Sequence, residues 1–191
     1  MTDDPENDGY LTGQLLVAMP QMLDERFAKS VIYMCAHNDD GAMGLVVNKV
    51  LENINFPDLL QQLDLSPTVS GKDIRVHFGG PVEAGRGFVL HTADYVHDAT
   101  MVVDDRIALT ATTDILRDIA GGDGPQNSLL ALGYAGWGPG QLDAEIQANG
   151  WLSLDADDNL IFGVDPASAW RGSLAKMGID VSMLSGDAGH A

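Results

Sequence analysis

Cys35 and His37 stand two residues apart in the run SVIYMCAHN. On a strand that spacing turns both side chains to one face. A thiol beside an imidazole can become an activated nucleophile. The run around Cys35 is apolar, however, and there a free cysteine behaves as a small buried hydrophobe with an inert thiol. The core reading is preferred. His77 lies just before Gly79 and Gly80, a context that would bring backbone N–H groups near an imidazole, as an oxyanion site requires. The chain has no GxSxG serine to use such a site, and a tight turn ending at Pro81 is the simpler reading. His91, Asp94, His97 and Asp98 have the chemistry of metal ligands, but their spacing fits no named motif. Asp155, Asp157 and Asp158 resemble a calcium loop only in composition. Counted from Asp155, Leu160 and Pro166 occupy the positions where an EF-hand needs Gly and Glu. No metal and no cofactor is expected. Arg86, between Gly85 and Gly87, is the best anion clamp on offer, because its guanidinium is a planar fork of donors. The competing reading is an ordinary surface ion pair.

The densest special backbone is Gly133–Asn149, GYAGWGPGQLDAEIQAN. An apolar strand from Ser128 to Leu132 is expected to enter a turn containing Gly133, Gly136, Gly138 and Gly140, and a helix should follow with Pro139 in its first turn. Free N–H groups at a helix start can hold an anion. Here Asp143 and Glu145 would repel one. The glycines read GxGxG rather than GxGxxG, and no GK[ST] follows, so neither nucleotide fingerprint is present. Trp137, inside the glycine-dense loop, is expected to be partly exposed and to line a groove.

The frame that must position these residues is one domain. The chain has 191 residues, 45% hydrophobic and 20% charged, enough to bury a substantial core. Its charge balance is unusual: 28 acidic against 10 basic residues give a net charge of −18. Such a field repels nucleic acid and anionic membranes unless the basic residues cluster, and in sequence they are scattered. One cysteine allows no internal disulfide. The start of the chain has no signal-peptide pattern and no apolar run approaches a membrane helix, so a cytoplasmic protein without membrane contact is expected.

Residues 1–11 read as a disordered acidic tail, 12–180 as the folded domain and 181–191 as a loose tail. Strands are expected at Gln14–Ala18, Ser30–Ala36 and Ala42–Asn48, the last two joined as a hairpin by the turn residues His37 to Gly41. Further strands are expected at Ile74–Phe78, Gly87–His91, Thr100–Val103 and Arg106–Leu109. Trp151–Leu154 and Asn159–Phe162 read as a second hairpin. Helices are expected at Phe56–Leu63, at Thr113–Ala120 capped by Thr112, after Gly140, and after Asp165 with Ala167, Trp170, Leu174 and Met177 as the apolar stripe. Residues 66–72 read as a polar loop. This order is not a βαβ repeat, which argues for an α+β fold with a mixed or mostly antiparallel sheet.

Four stretches taken together, GQLLVAMPQM, FAKSVIYMCAHNDDGAMGLVVNK, HFGGPVEAGRGFVLH and GYAGWGPGQLDAEIQANGWL, resemble the AlgH/YqgE family of bacterial proteins. The resemblance runs from about Leu11 to Asp180. It implies a single α+β domain whose sheet bends into a partly closed, barrel-like layer with helices around it. The family is largely uncharacterised. Its members are often labelled transcriptional regulators, after a genetic link to alginate production, and no catalytic set can be carried over. That label sits badly with a −18 chain lacking a basic recognition helix. The preferred reading is therefore a non-catalytic binding or regulatory module. Gly79, Gly80, Arg86, Gly133, Gly136, Trp137 and Gly138 would form a groove for an unknown protein segment or small molecule. The alternative is a hydrolase or transferase acting on a small anionic substrate, with His77 or His91 as base and Arg86 as anion holder. A DNA-binding regulator ranks third.

Overall fold

The computed structural model of the protein describes residues 10–65, 74–163 and 165–180. The expected loop at 66–72 and the tails at 1–9 and 181–191 lie outside the described residues. The strands are β1 (Gln14–Ala18), β2 (Val31–Asn38), β3 (Gly41–Val46), β4 (Val76–Phe78), β5 (Val82–Thr92), β6 (Thr100–Val102), β7 (Ile107–Thr110), β8 (Ser128–Trp137) and β9 (Trp151–Asp155). The helices are α1 (Phe56–Gln62), α2 (Asp114–Gly121), α3 (Gln141–Gln147) and α4 (Pro166–Lys176).

All nine strands join one sheet in the order β6-β7-β5-β8-β3-β2-β1-β9, and β4 pairs with β8 off this path. The β4–β8 pairing is parallel and every other pairing is antiparallel. The fold is therefore α+β with a mostly antiparallel sheet. The curvature follows from packing. Leu15 of β1 and Leu109 of β7 belong to one buried cluster although they stand far apart in strand order. A flat sheet adds about 4.8 Å per strand, so the two can share a core only if the sheet curls. The result is a half-barrel. α4 fills its inner face with Ala169, Trp170 and Leu174, and Trp170 Nε1 donates to the carbonyl of Ala18 at 2.8 Å.

Both faces of the sheet are covered, which explains its apolar strands. In β1, Leu15 and Val17 face the inner cluster, whereas Leu16 and Ala18 face an outer one with Trp137, Leu142 and Trp151. In β2, Val31 and Tyr33 go inward, while Ile32 and Met34 go outward. Period-two alternation is present, but both phases are hydrophobic. A third cluster lies under α1 and α2, built on Phe56, Leu60, Ile115 and Ile119.

The local signals for the first hairpin and for two helix starts match the sequence. β2 and β3 form the expected hairpin, in which Asn38 Oδ1 accepts from the Asp40 N–H at 2.8 Å. Asn55 caps α1 through the N–H of Asp58, and Asp165 caps α4 through the N–H of Ala167. Other expectations are corrected. β8 does not end at Leu132 but runs through Gly133 to Trp137. Pro139 precedes α3, whose cap residue is Gly140. β5 starts at Val82 rather than Gly87, with a register shift between the two. Thr113, not Thr112, sits at the α2 cap; its backbone is already helical, so its hydroxyl caps nothing. Asn159–Gly163 is a π-helical turn rather than a strand. β9 pairs instead with β1, and the turn buries the adjacent Leu160 and Ile161. In α4 the buried positions are Pro166, Ala169, Trp170, Ser173 and Leu174, while Ala167 is exposed and Met177 is half-buried.

Candidate functional site

The two glycine-bearing stretches meet. The chain leaving β4 crosses β8 so closely that a Cβ on Gly79 would lie 2.3 Å from the carbonyl oxygen of Gly133. A Cβ on Gly80 would lie 2.0 Å from the carbonyl carbon of Tyr134, and one on Gly133 would lie 2.3 Å from the Gly80 oxygen. Gly79 N–H donates to Leu132 at 2.8 Å and the Gly79 carbonyl accepts from Val46 N–H at 2.9 Å. These three glycines form a backbone seam that joins β3, β4 and β8. Gly133 meets this demand with φ +77°, a conformation that costs a side-chain-bearing residue about 1–2 kcal/mol. Opposite it, β5 bulges between Val82 and Gly87, and Glu83 takes φ +48°.

That bulge aims Arg86 over an open groove of about 580 Å³. Met43, Phe88 and Tyr134 give the groove apolar surface, and Asn38, Asp40 and Glu83 are polar lining residues. Phe88 and Tyr134 meet edge to face at 5.8 Å. The Arg86 guanidinium lies 5.0 Å from the centre of the Phe88 ring. Its Nη1 is 3.6 Å from Glu83 Oε2, and both side chains are about half exposed. The surface ion pair expected as the competing reading is thus present at Arg86.

Of the seven residues proposed from sequence, Arg86, Gly136 and Trp137 line the groove. Gly79, Gly80 and Gly133 form the seam beside it, and the Gly138 N–H is held by Gln141 Oε1 at 2.9 Å. Trp137 is not the partly exposed aromatic expected. It is 7% exposed, edge-on to Trp151, and its Nε1 donates to Glu145 Oε1 at 3.3 Å. Two further aromatics that line the groove with it, Phe88 and Tyr134, are not among the seven. A strand signal was present: Phe88 follows Arg86 by two, and Tyr134 precedes Gly136 by two.

Cys35 and His37 are not on one face. A bulge between Met34 and Ala36 breaks the strand alternation. Cys35 stays with the inner cluster, and burial pushes its thiol up to about 12. His37 turns toward the other side, where Nδ1 accepts from the Leu11 N–H at 3.0 Å and Nε2 is 3.8 Å from Asp143 of α3. Tyr10 packs edge-on against the same ring. His91 is fully buried, with Nε2 on Thr110 Oγ1 and Nδ1 on the Thr92 carbonyl, each at 2.8 Å. Asp94 accepts from Thr92 Oγ1 and from the Gln126 N–H, and His97 stacks on Tyr95 at 4.1 Å. Among the described residues no group of three His, Cys, Asp or Glu side chains is placed to hold a metal.

His77 is the most perturbed imidazole. It is 3% exposed, its Nδ1 has no hydrogen-bond partner, and burial, with the charge of Arg75 second, lowers it to about 4. An unfolded histidine titrates near 6.5, so the unfolded chain takes up the proton first as pH falls. Stability is lost between about pH 6.5 and pH 4, and His77 accounts for about 2–3 kcal/mol of that loss by pH 4.5. Urea denaturation of His77→Gln across this range will show a flatter decline than the parent. Parallel declines would mean that the imidazole is not held neutral.

A curled, mostly antiparallel sheet sewn along a glycine seam, with one arginine-capped groove, defines an α+β half-barrel domain. The chain belongs to the AlgH-like family, whose model matches residues 15–182. A UPF0301 protein of Rhodospirillum rubrum is 55% identical over 186 residues, covering 97% of each chain. One from Paracoccus denitrificans is 56% identical over 189 residues, covering 97% of this chain and all of the relative. The solution structure of AlgH from Pseudomonas aeruginosa is similar over the whole of both chains, with 39% identity and a TM-score of 0.78. A Corynebacterium diphtheriae protein at 22% identity shares the fold, with a TM-score of 0.69 over 87% of this chain and 86% of that one. Among the described residues no helix is long and apolar enough to cross a membrane.

Proposed function

We propose that this protein is a non-catalytic binding or regulatory module of the cytoplasm that takes a partner in the Arg86 groove. The carrying observation is the groove itself: an open channel with Phe88 and Tyr134 as apolar lining and a single cation, Arg86, over it. Open apolar surface with few polar fixtures suits an extended segment of a partner protein better than an enclosed substrate. Arg86 would exchange its exposed pairing with Glu83 for an acidic or carboxyl-bearing group of the partner. The enzyme alternative has less support, because neither His77 nor His91 lines this groove. DNA binding is disfavoured by the net charge of −18 and by the pairing of Arg26, Arg86, Arg106 and Arg117 with neighbouring carboxylates. A regulatory role on this reading runs through protein contact. The buried thiol of Cys35 is consistent with a reducing compartment but does not depend on one.

The test uses a substitution that fills the groove without disturbing the seam. A Cβ on Gly136 meets only ordinary contacts, 3.4 Å to Tyr134 and 3.8 Å to Val82. Peptides selected from a random library for binding to the parent should lose at least tenfold in affinity to Gly136→Val, and acidic ones also to Arg86→Ala. Melting temperatures should stay within a few degrees of the parent. Peptides that bind both variants undiminished would remove the groove as the site.

A further inference from the structure

A second cavity, of about 390 Å³, shares no lining residue with the groove. It lies between the start of β4, the start of β8 and the π-helical turn. Arg75, His77, Asn127 and Ser128 are on its lining, together with apolar Ile161 and Phe162. Three observations set it apart. No described aspartate or glutamate lines it, in a chain with 28 acidic residues. Arg75, like Arg171, has no ion pair with any described residue, whereas Arg26, Arg86, Arg106 and Arg117 each have one. The His77 Nδ1 is buried and has no hydrogen-bond partner, which is rare for a buried polar atom.

We infer that this cavity is a binding site for a small carboxylate carrying a short apolar tail. Arg75 supplies the counter-charge and, with Asn127 and Ser128, polar hydrogen-bonding groups. His77 lends a neutral imidazole to the lining. Ile161 and Phe162 receive the tail. With no described acidic side chain on the lining, the repulsion that the acidic surface exerts on anions is weakest here. A neutral His77 brings no second charge, so one carboxylate is matched by one guanidinium. The site does not depend on the groove reading, and either can fail alone.

The experiment is a titration of the whole protein, labelled in its histidine side chains, with butyrate, followed by imidazole NMR. Butyramide is the neutral isostere. Butyrate should shift the His77 resonances saturably in the millimolar range, with His91 and His97 unmoved, and butyramide should bind at least tenfold more weakly. Arg75 is exposed, so Arg75→Ala should fold normally and lose about tenfold in butyrate affinity. Asn127→Ala should lose less. No saturable shift, equal shifts with butyramide, or unchanged affinity in a folded Arg75→Ala would each overturn the assignment.

Discussion

Gly133→Ala will cost about 3–5 kcal/mol, the sum of left-handed strain and overpacking against rigid neighbours. In a chain of this length that is a drop on the order of 10 °C in melting temperature. The backbone at Gly133 has φ +77°, and the new methyl would sit 2.3 Å from the Gly80 oxygen, 3.0 Å from Ala84 Cα and 3.1 Å from the Val82 oxygen. All three are backbone atoms, so no side chain can rotate away. Gly140 is the matching control. It has nearly the same φ, +73°, yet nothing lies within 4 Å of its Cβ position. Gly140→Ala should therefore cost only the conformational part, about 1–2 kcal/mol. Thermal unfolding followed by circular dichroism measures both. If the two variants melt together, the seam is not the tight contact described.

Glu145→Ala will cost about 2–4 kcal/mol, because it strands two indole donors at once. Glu145 Oε1 accepts from Trp151 Nε1 at 3.0 Å and from Trp137 Nε1 at 3.3 Å, while Oε2 accepts from Gln141 Nε2 at 3.0 Å. Both indoles are buried, Trp151 at 1% exposure, and among the described residues neither has another acceptor. Glu145→Gln keeps one acceptor oxygen and should lose well under half as much. In a Trp137→Phe, Trp151→Phe background there is no donor left to strand, and Glu145→Ala should then cost less than about 1 kcal/mol. Urea denaturation gives the free energies, read by circular dichroism because the background lacks two of the three tryptophans. An undiminished cost in that background would mean that Glu145 acts through helix packing rather than the shared carboxylate.

The parts of this fold that can be read in the sequence are those settled by neighbours in the chain. Asn38 to Gly41 makes its turn from its own side chains, and Asn55 and Asp165 cap helices a few residues ahead. β8 shows the limit. Gly133, Gly136, Gly138 and Gly140 look alike along the chain, but Gly133 is required by Gly80, which is more than fifty residues away in sequence. The bulges at Cys35 and in β5 are likewise settled across strands, so counting by twos placed His37 on the wrong face and hid the run-up to Arg86. Trp137 was misjudged for a related reason: glycines on both sides suggested exposure, whereas Glu145 and Trp151 cover it. Arg86 was legible because an arginine flanked by glycines is conspicuous. Its companions Phe88 and Tyr134 become a set only when β5 and β8 pair.

The strand order bears on how the chain is made. β1, β2 and β3 are adjacent and near the start, but β3 gains its outer neighbour from β8 and β1 gains its own from β9. During synthesis this three-stranded piece leaves the ribosome with both edges open. It stays so until Trp137 closes one edge and Asp155 the other. Unpaired edges of apolar strands invite pairing with other chains. The long waits between partners also make native contacts distant in sequence, which slows folding. A chain that must expose such edges gains from repelling its copies, and an excess of 28 acidic over 10 basic residues supplies that repulsion. The acidity that argues against nucleic acid is also a safeguard for nascent chains.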